Sequence, residues 1–222
     1  MICLQGGAEF TPACRDMDAD LVRRAPGPVV VTALAGTPGR DYATATANGV
    51  RHFRDVGAAD VVGAPDARDD LPGALAALAR ARLLVLPGGS PSRLLDALHL
   101  AGMAAVVSGI LADGGAVMGS SAGAMVLGAW TVLPERRTAG GPAVVEGLGL
   151  GGAVLVMPHW SGDRGDWQRA ADRAVPAGVE LLGIPEASGV VIENGRWTAV
   201  GSAGTRLVRQ GRTLLPGEQV TA

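Results

Sequence analysis

Short, wholly apolar runs separated by segments of helical period limit this chain's folding options more than any other feature. Val29-Val30-Val31 and Leu83-Leu84-Val85-Leu86 contain no polar residue, which suits strands covered on both faces. Strands are expected over residues 1–5, 28–34, 60–63, 82–86, 116–119, 154–157 and 179–184. Helical period places helices between them, over 42–56, 71–81, 92–98, 102–112, 122–129 and 167–175. Alternation of this kind implies an α/β fold of three layers, a mostly parallel sheet with helices on both faces.

After residue 184 the pattern changes. Runs at 188–193, 196–200 and 205–209 are separated by Asn194-Gly195 and by Gly201-Ser202-Ala203-Gly204. Asn-Gly between two apolar runs is a strong hairpin signal, so a small C-terminal antiparallel meander is expected. The chain has 222 residues, 48% of them apolar, enough for one α/β domain with a buried core. With neither linker nor internal repeat, a single domain over 1–222 is expected.

Composition excludes several chemistries. All 19 basic residues are arginine. A Walker phosphate loop, a Schiff-base enzyme and a Ser-Lys dyad all need lysine. A net charge of −2 without basic clusters leaves no footprint for nucleic acid. Cys3 and Cys14 are too few for a disulfide framework and are expected as reduced thiols. His52, His99 and His159 are far apart, so neither a metal site nor any cofactor is expected. The N-terminus lacks a secretory signal, and no apolar run is long enough to span a bilayer. A cytoplasmic protein with no membrane partner is the expectation, and a homodimer is compatible with the sequence.

Gly119-Ser120-Ser121-Ala122-Gly123 matches the G-x-S-x-G nucleophile elbow, with Ser121 in the reacting position. Such a nucleophile sits at a strained backbone angle, so residues two positions either side must be small. An apolar run precedes the motif and a helical segment follows it, which is the context an elbow needs. The Ala122 N–H then faces a developing oxyanion. A second turn, Pro87-Gly88-Gly89-Ser90, also closes an expected parallel strand, where open α/β sheets bind ligands. Its Gly88 and Gly89 could bring another N–H to the same oxyanion.

Without lysine the base must be a histidine. His52 falls inside an expected helix and reads as solvent-facing; His99 reads as a capping or surface residue. His159 follows the run ending at Met157, at the same strand ends as Ser121, and is the preferred base. An orienting carboxylate is needed. Glu186 follows the last expected parallel strand and is preferred over Glu135, read on a loop, and Asp163, read at a helix start. Gly147-Leu148-Gly149-Leu150-Gly151-Gly152 satisfies the dinucleotide pattern but leads into a strand rather than a helix, so it reads as a loop. Asp16, Asp18 and Asp20 read as a solvated or helix-start face.

These residues together resemble the dipeptidase E and cyanophycinase family of serine peptidases. The resemblance runs through Leu4–Phe10, Pro87–Leu95, Gly119–Ala124, Pro158-His159-Trp160 and Gly183–Ala187. It implies a class I glutamine-amidotransferase-like (flavodoxin-like) fold, with Ser121 as nucleophile, His159 as base, and Gly89 and Ala122 as oxyanion donors. Its cyanophycinase-like pattern points to Glu186 as the acid, its dipeptidase-E-like pattern to Glu135. Related amidotransferases carry cysteine at the elbow, so Ser121 argues against transfer of glutamine ammonia. The sequence departs from its relatives in Ser90-Pro91-Ser92-Arg93 and in Trp160–Asp166. Ser90, Arg93, Trp160 and Arg164 at those departures, with Gly88 in the glycine turn before them, form the expected substrate-binding region.

The expected function is therefore hydrolysis of a small peptide or amide through an acyl-enzyme. Its alternatives are a non-catalytic binding protein of the same fold and an esterase or acyltransferase using the same nucleophile.

Overall fold

The strand β1 (Ile2–Gln5) lies within an eight-stranded sheet. The computed structural model describes residues 1–221. Beside β1 runs β5 (Ala116–Ser120), followed by β4 (Leu83–Leu86), β2 (Val29–Val31) and β3 (Val61–Gly63), all parallel. Every residue of β4 and β2 is fully buried, as their unbroken apolar runs require.

Helices cover both faces. In α2 (Arg40–Asp55), Tyr42, Thr46, Gly49 and Phe53 recur at helical spacing and are buried, and the Tyr42 hydroxyl donates to Ala64 O at 2.8 Å. Two shorter helices start on side-chain caps with proline in the first turn. Asp70 accepts from Gly73 N–H to open α3 (Leu71–Leu78), and Ser90 accepts from Arg93 N–H to open α4 (Pro91–Leu98). The remaining helices are α1 (Arg15–Arg24), α5 (Met103–Ala112), α6 (Ala122–Leu127) and α7 (Asp166–Ala174). Among the described residues, no single helix is long and apolar enough to cross a membrane.

The α/β fold read from the sequence is present, with a division the sequence did not reveal. Strands β8 (Val154–Pro158) and β9 (Glu180–Ile184) are parallel to each other but belong to a second, six-stranded sheet. That sheet also holds β6 (Trp130–Thr138) and β7 (Gly141–Glu146). This hairpin escaped the sequence reading because β6 carries Pro134-Glu135-Arg136-Arg137 and shifts register between Leu133 and Arg137. Proline and polar residues tend to mark a strand edge or bulge. Glu135, read as a loop residue, lies on β6.

The C-terminal meander extends both sheets. β10 (Ser188–Glu193) pairs antiparallel with β1, and β11 (Arg196–Gly201) pairs with β10 through Asn194-Gly195, where both φ angles are positive, at 50° and 70°. That is the geometry of a two-residue type I′ turn. β12 (Thr205–Leu207) crosses to pair with β9, while β13 (Arg212–Leu214) and β14 (Gln219–Thr221) close one edge of each sheet.

Two expectations about polar residues are corrected. Asp18, read as a solvated or helix-start residue, does lie in the first turn of α1 but at 0% exposure, and His52, read as solvent-facing, is buried at 6%. His52 Nε2 lies 2.7 Å from Asp18 Oδ2, and Asp18 Oδ1 accepts from Gln5 Nε2 at 2.7 Å. Each satisfies the other, which is how polar groups survive burial; sequence spacing holds no trace of a pairing 34 residues apart. Cys3 and Cys14 are both buried and unbridged.

Candidate active site

Ser121 stands at the junction of β5 and α6 with φ 49° and ψ −110°. Strain of this sort costs on the order of 1–3 kcal/mol and persists only where neighbours enforce it. The enforcement is visible. Ser121 N–H donates to Gln5 O at 3.0 Å. A Cβ at Gly119 would come within 2.4 Å of the Gly123 backbone, and one at Gly123 within 1.9 Å of Leu86 O. The small residues at both ends of the elbow are thus required by contact between β5, α6 and β4.

Among the described residues six that are not glycine have left-handed φ, and Ser121, His159 and Ala187 are three of them, with Ala8 and Phe10 on the segment after β1. The sixth, Asn194, lies elsewhere, in the hairpin turn. Backbone strain is gathered around one set of strand ends.

His159 follows β8 and is anchored by its own N–H, which donates to Gly6 O at 2.8 Å. Its Nε2 is 2.8 Å from Ser121 Oγ, and its Nδ1 is 2.5 Å from Glu186 Oε1. Glu186 follows β9, and the next residue, Ala187, donates its N–H to Gly7 O at 3.2 Å. Gly7 has φ 136°, and a Cβ there would strike both the imidazole and the Glu186 carboxylate at 2.5–2.6 Å. The two sheets therefore meet beneath the His159–Glu186 pair through Gly6 and Gly7.

The other acid candidates are engaged elsewhere. Glu135 accepts from Ser92 Oγ at 3.0 Å, and Asp163 accepts from Gly165 N–H at 2.6 Å. In the glycine turn, Gly88 N–H donates to Glu9 Oε1 at 2.8 Å. Among the described residues the N–H groups of Gly89 and Ala122 have no acceptor, so these two are free to bind an oxyanion.

Of the expected substrate-binding residues, Ser90 is buried and serves as the cap of α4. Arg93 Nε donates to Ala35 O at 3.1 Å. Trp160 packs its ring against Gly183, where a Cβ would meet it at 2.3 Å. Arg164 lies 4.2 Å over the Trp167 ring; its Nε is buried with no hydrogen-bond partner, and burial lowers its pKa from the usual arginine value. Gly88 lies beside Ser121, its would-be Cβ 3.2 Å from Ser121 Cβ.

The sequence reading missed Glu9 and Ser120. Glu9 Oε2 accepts from Ser120 Oγ at 2.9 Å, so one carboxylate joins the elbow to the glycine turn. Its signal was an acidic residue just past the carboxyl end of a buried strand, in Gly6-Gly7-Ala8-Glu9.

A strained serine bonded to a histidine, itself bonded to a carboxylate, is the apparatus of a serine hydrolase. The sequence pattern of peptidase family S51 matches residues 35–200, a stretch that contains Ser121, His159 and Glu186. The chain belongs to peptidase family S51. The resemblance to dipeptidase E and cyanophycinase is met, and this S51 protein is a serine peptidase. A peptidase from an acI-B1 Actinobacterium has a similar structure, with a TM-score of 0.84 and 22% identity over 100% of this chain and 96% of the other. A protein provisionally named peptidase E from Listeria monocytogenes EGD-e superposes with a TM-score of 0.68 and 15% identity, covering 91% of this chain and 98% of the other. No curated protein sequence matches the S51 chain.

Proposed function

We propose that this S51 peptidase cleaves short peptides through an acyl-enzyme on Ser121. The observation that carries the reading is the continuous pair of hydrogen bonds from Ser121 Oγ through His159 to Glu186. Ser121 Oγ attacks the scissile carbonyl carbon while its proton passes to His159 Nε2. The carbonyl π electrons move onto oxygen, and the oxyanion takes the free N–H groups of Gly89 and Ala122. Collapse breaks the C–N bond as His159 returns the proton to the leaving amine. Water, deprotonated by the same imidazole, then releases the acid and frees Ser121. Glu186 holds the tautomer with hydrogen on Nδ1 and stabilises the imidazolium.

Arg164 is the group we assign to a substrate carboxylate. It lies on the loop that follows His159, its Nε is buried without a partner, and no carboxylate lies within salt-bridge distance among the described residues. A guanidinium without a carboxylate partner of its own suits one that a peptide substrate brings. We read the enzyme as cytoplasmic, a compartment that suits two buried, unbridged cysteines.

Incubating the protein with a panel of dipeptides and tripeptides, N-terminal aspartyl peptides included, and measuring released amine tests this reading. Turnover by the wild type that disappears in Ser121→Ala is expected. Equal turnover by both proteins would overturn it.

A further inference from the structure

We infer that Glu9 is a positioning residue of this active centre, setting which amide of the Gly88-Gly89 turn faces the oxyanion. The inference rests on the Ser121 acyl-enzyme reading and extends it to a residue outside the segment matched to the family.

Two adjacent glycines give the turn after β4 little conformational restraint of its own. Rotation of the Gly88-Gly89 peptide would exchange the N–H directed at the substrate for a carbonyl oxygen, which would repel an oxyanion. Glu9 Oε1 holds the Gly88 N–H at 2.8 Å, which fixes the preceding peptide and leaves the Gly89 N–H without an acceptor. Its second oxygen receives the Ser120 hydroxyl at 2.9 Å. Ser120 is fully buried and adjoins the nucleophile, so the same carboxylate ties the turn to the elbow.

The segment that bears Glu9 is itself pinned. Gly6 O accepts from His159 N–H and Gly7 O from Ala187 N–H, while Ala8 O accepts from Thr11 Oγ1 at 2.7 Å. Residues 6–9 thereby bond to the ends of four strands: β8 and β9, which carry base and acid, and β4 and β5, which carry the turn and nucleophile. Glu9 is the side chain that completes the connection on the nucleophile side. Charge is not what this duty needs. A glutamine could accept from Gly88 N–H through its oxygen and donate to Ser120 Oγ through its amide.

A fluorophosphonate probe reads the prediction without a known substrate, because phosphonylation uses the same nucleophile, base and oxyanion donors. Its maximal labelling rate and its half-saturating concentration are measured for wild type, Glu9→Ala, Glu9→Gln and Ser121→Ala, each checked for folding by thermal melting. Glu9→Ala should lower the maximal rate about 10- to 100-fold, the scale of a misplaced catalytic group, with little change in half-saturation. Glu9→Gln should restore the rate to within about threefold of wild type, as a charge-independent positioning role requires. A folded Glu9→Ala that labels at the wild-type rate overturns the inference. So does a Glu9→Gln that falls as far as Glu9→Ala, since the charge itself would then be required. Failure of the wild type to label would count against Ser121 instead, and the role of Glu9 would fall with it.

Discussion

Glu186 Oε1 stands 2.5 Å from His159 Nδ1, on the side of the imidazole opposite Ser121. A carboxylate there keeps hydrogen on Nδ1 and leaves the Nε2 lone pair for the serine proton. Glu186→Gln should therefore slow fluorophosphonate labelling by on the order of 10⁴, as removal of the orienting acid does in other serine enzymes. Glu135→Gln should label within about twofold of wild type, as expected of an exposed substitution away from the reacting groups. The reverse ranking would move the acid to Glu135.

The tight approach of α6 to β4 gives a stability prediction with an internal control. Gly123→Ala pushes a methyl to 1.9 Å from Leu86 O, so a loss of about 3 kcal/mol or a failure to fold is expected. In a chain of this size such a loss lowers the melting temperature by about 6–12 °C. Gly109, in α5, has nothing within 4 Å of an added Cβ. Gly109→Ala should raise stability by about 0.5–1 kcal/mol through lower unfolded-state entropy and better helix propensity. Calorimetric melting of the two variants checks both signs.

The buried Asp18–His52 pair predicts a coupling energy. Asp18→Ala strands both His52 and the Gln5 amide, and a loss of about 3–5 kcal/mol is expected from breaking one side of such a pair. The double variant Asp18→Ala/His52→Ala should be less destabilised than the sum of the two single variants. Urea unfolding of all four proteins measures this; strict additivity would mean that the two side chains do not support each other.

Both cysteines should be silent in the native protein. Burial, followed by the negative charge of Asp18, raises the Cys14 pKa to about 11, and the same two causes raise that of Cys3. The thiolate is the reactive form, and a pKa of about 11 leaves on the order of one Cys14 in a thousand ionised at pH 8. A disulfide-exchange reagent at pH 8 should therefore detect no thiol in native protein and both after denaturation. The reaction rate of Cys14 should rise about tenfold per pH unit as pH climbs toward 11.

The sequence carried the site further than it carried the sheets. An elbow is a local device: Gly119, Ser121 and Gly123 must lie close in the chain because one turn makes the strained angle. His159 and Glu186 were reachable because each directly follows a buried parallel strand, and strand ends converge. Sheet membership is different. The apolar run at 154–157 reports burial, and burial is equal in either sheet, so the division between β5 and β8 left no mark. The β6–β7 hairpin was hidden by Pro134 and a bulge, and the Asp18–His52 pair by a contact between separate helices. Glu9 was passed over because its partners, one backbone amide and one hydroxyl, are brought near only by the folded chain.

Acylation at Ser121 can be read from the position of a covalent adduct. Wild-type protein treated with a fluorophosphonate should gain the mass of one phosphonyl group, and peptide fragmentation should place it on Ser121. Ser121→Ala should gain none, although the neighbouring Ser120 remains. An adduct on Ser120 or any other residue, or equal labelling of the two proteins, would exclude Ser121 as the nucleophile.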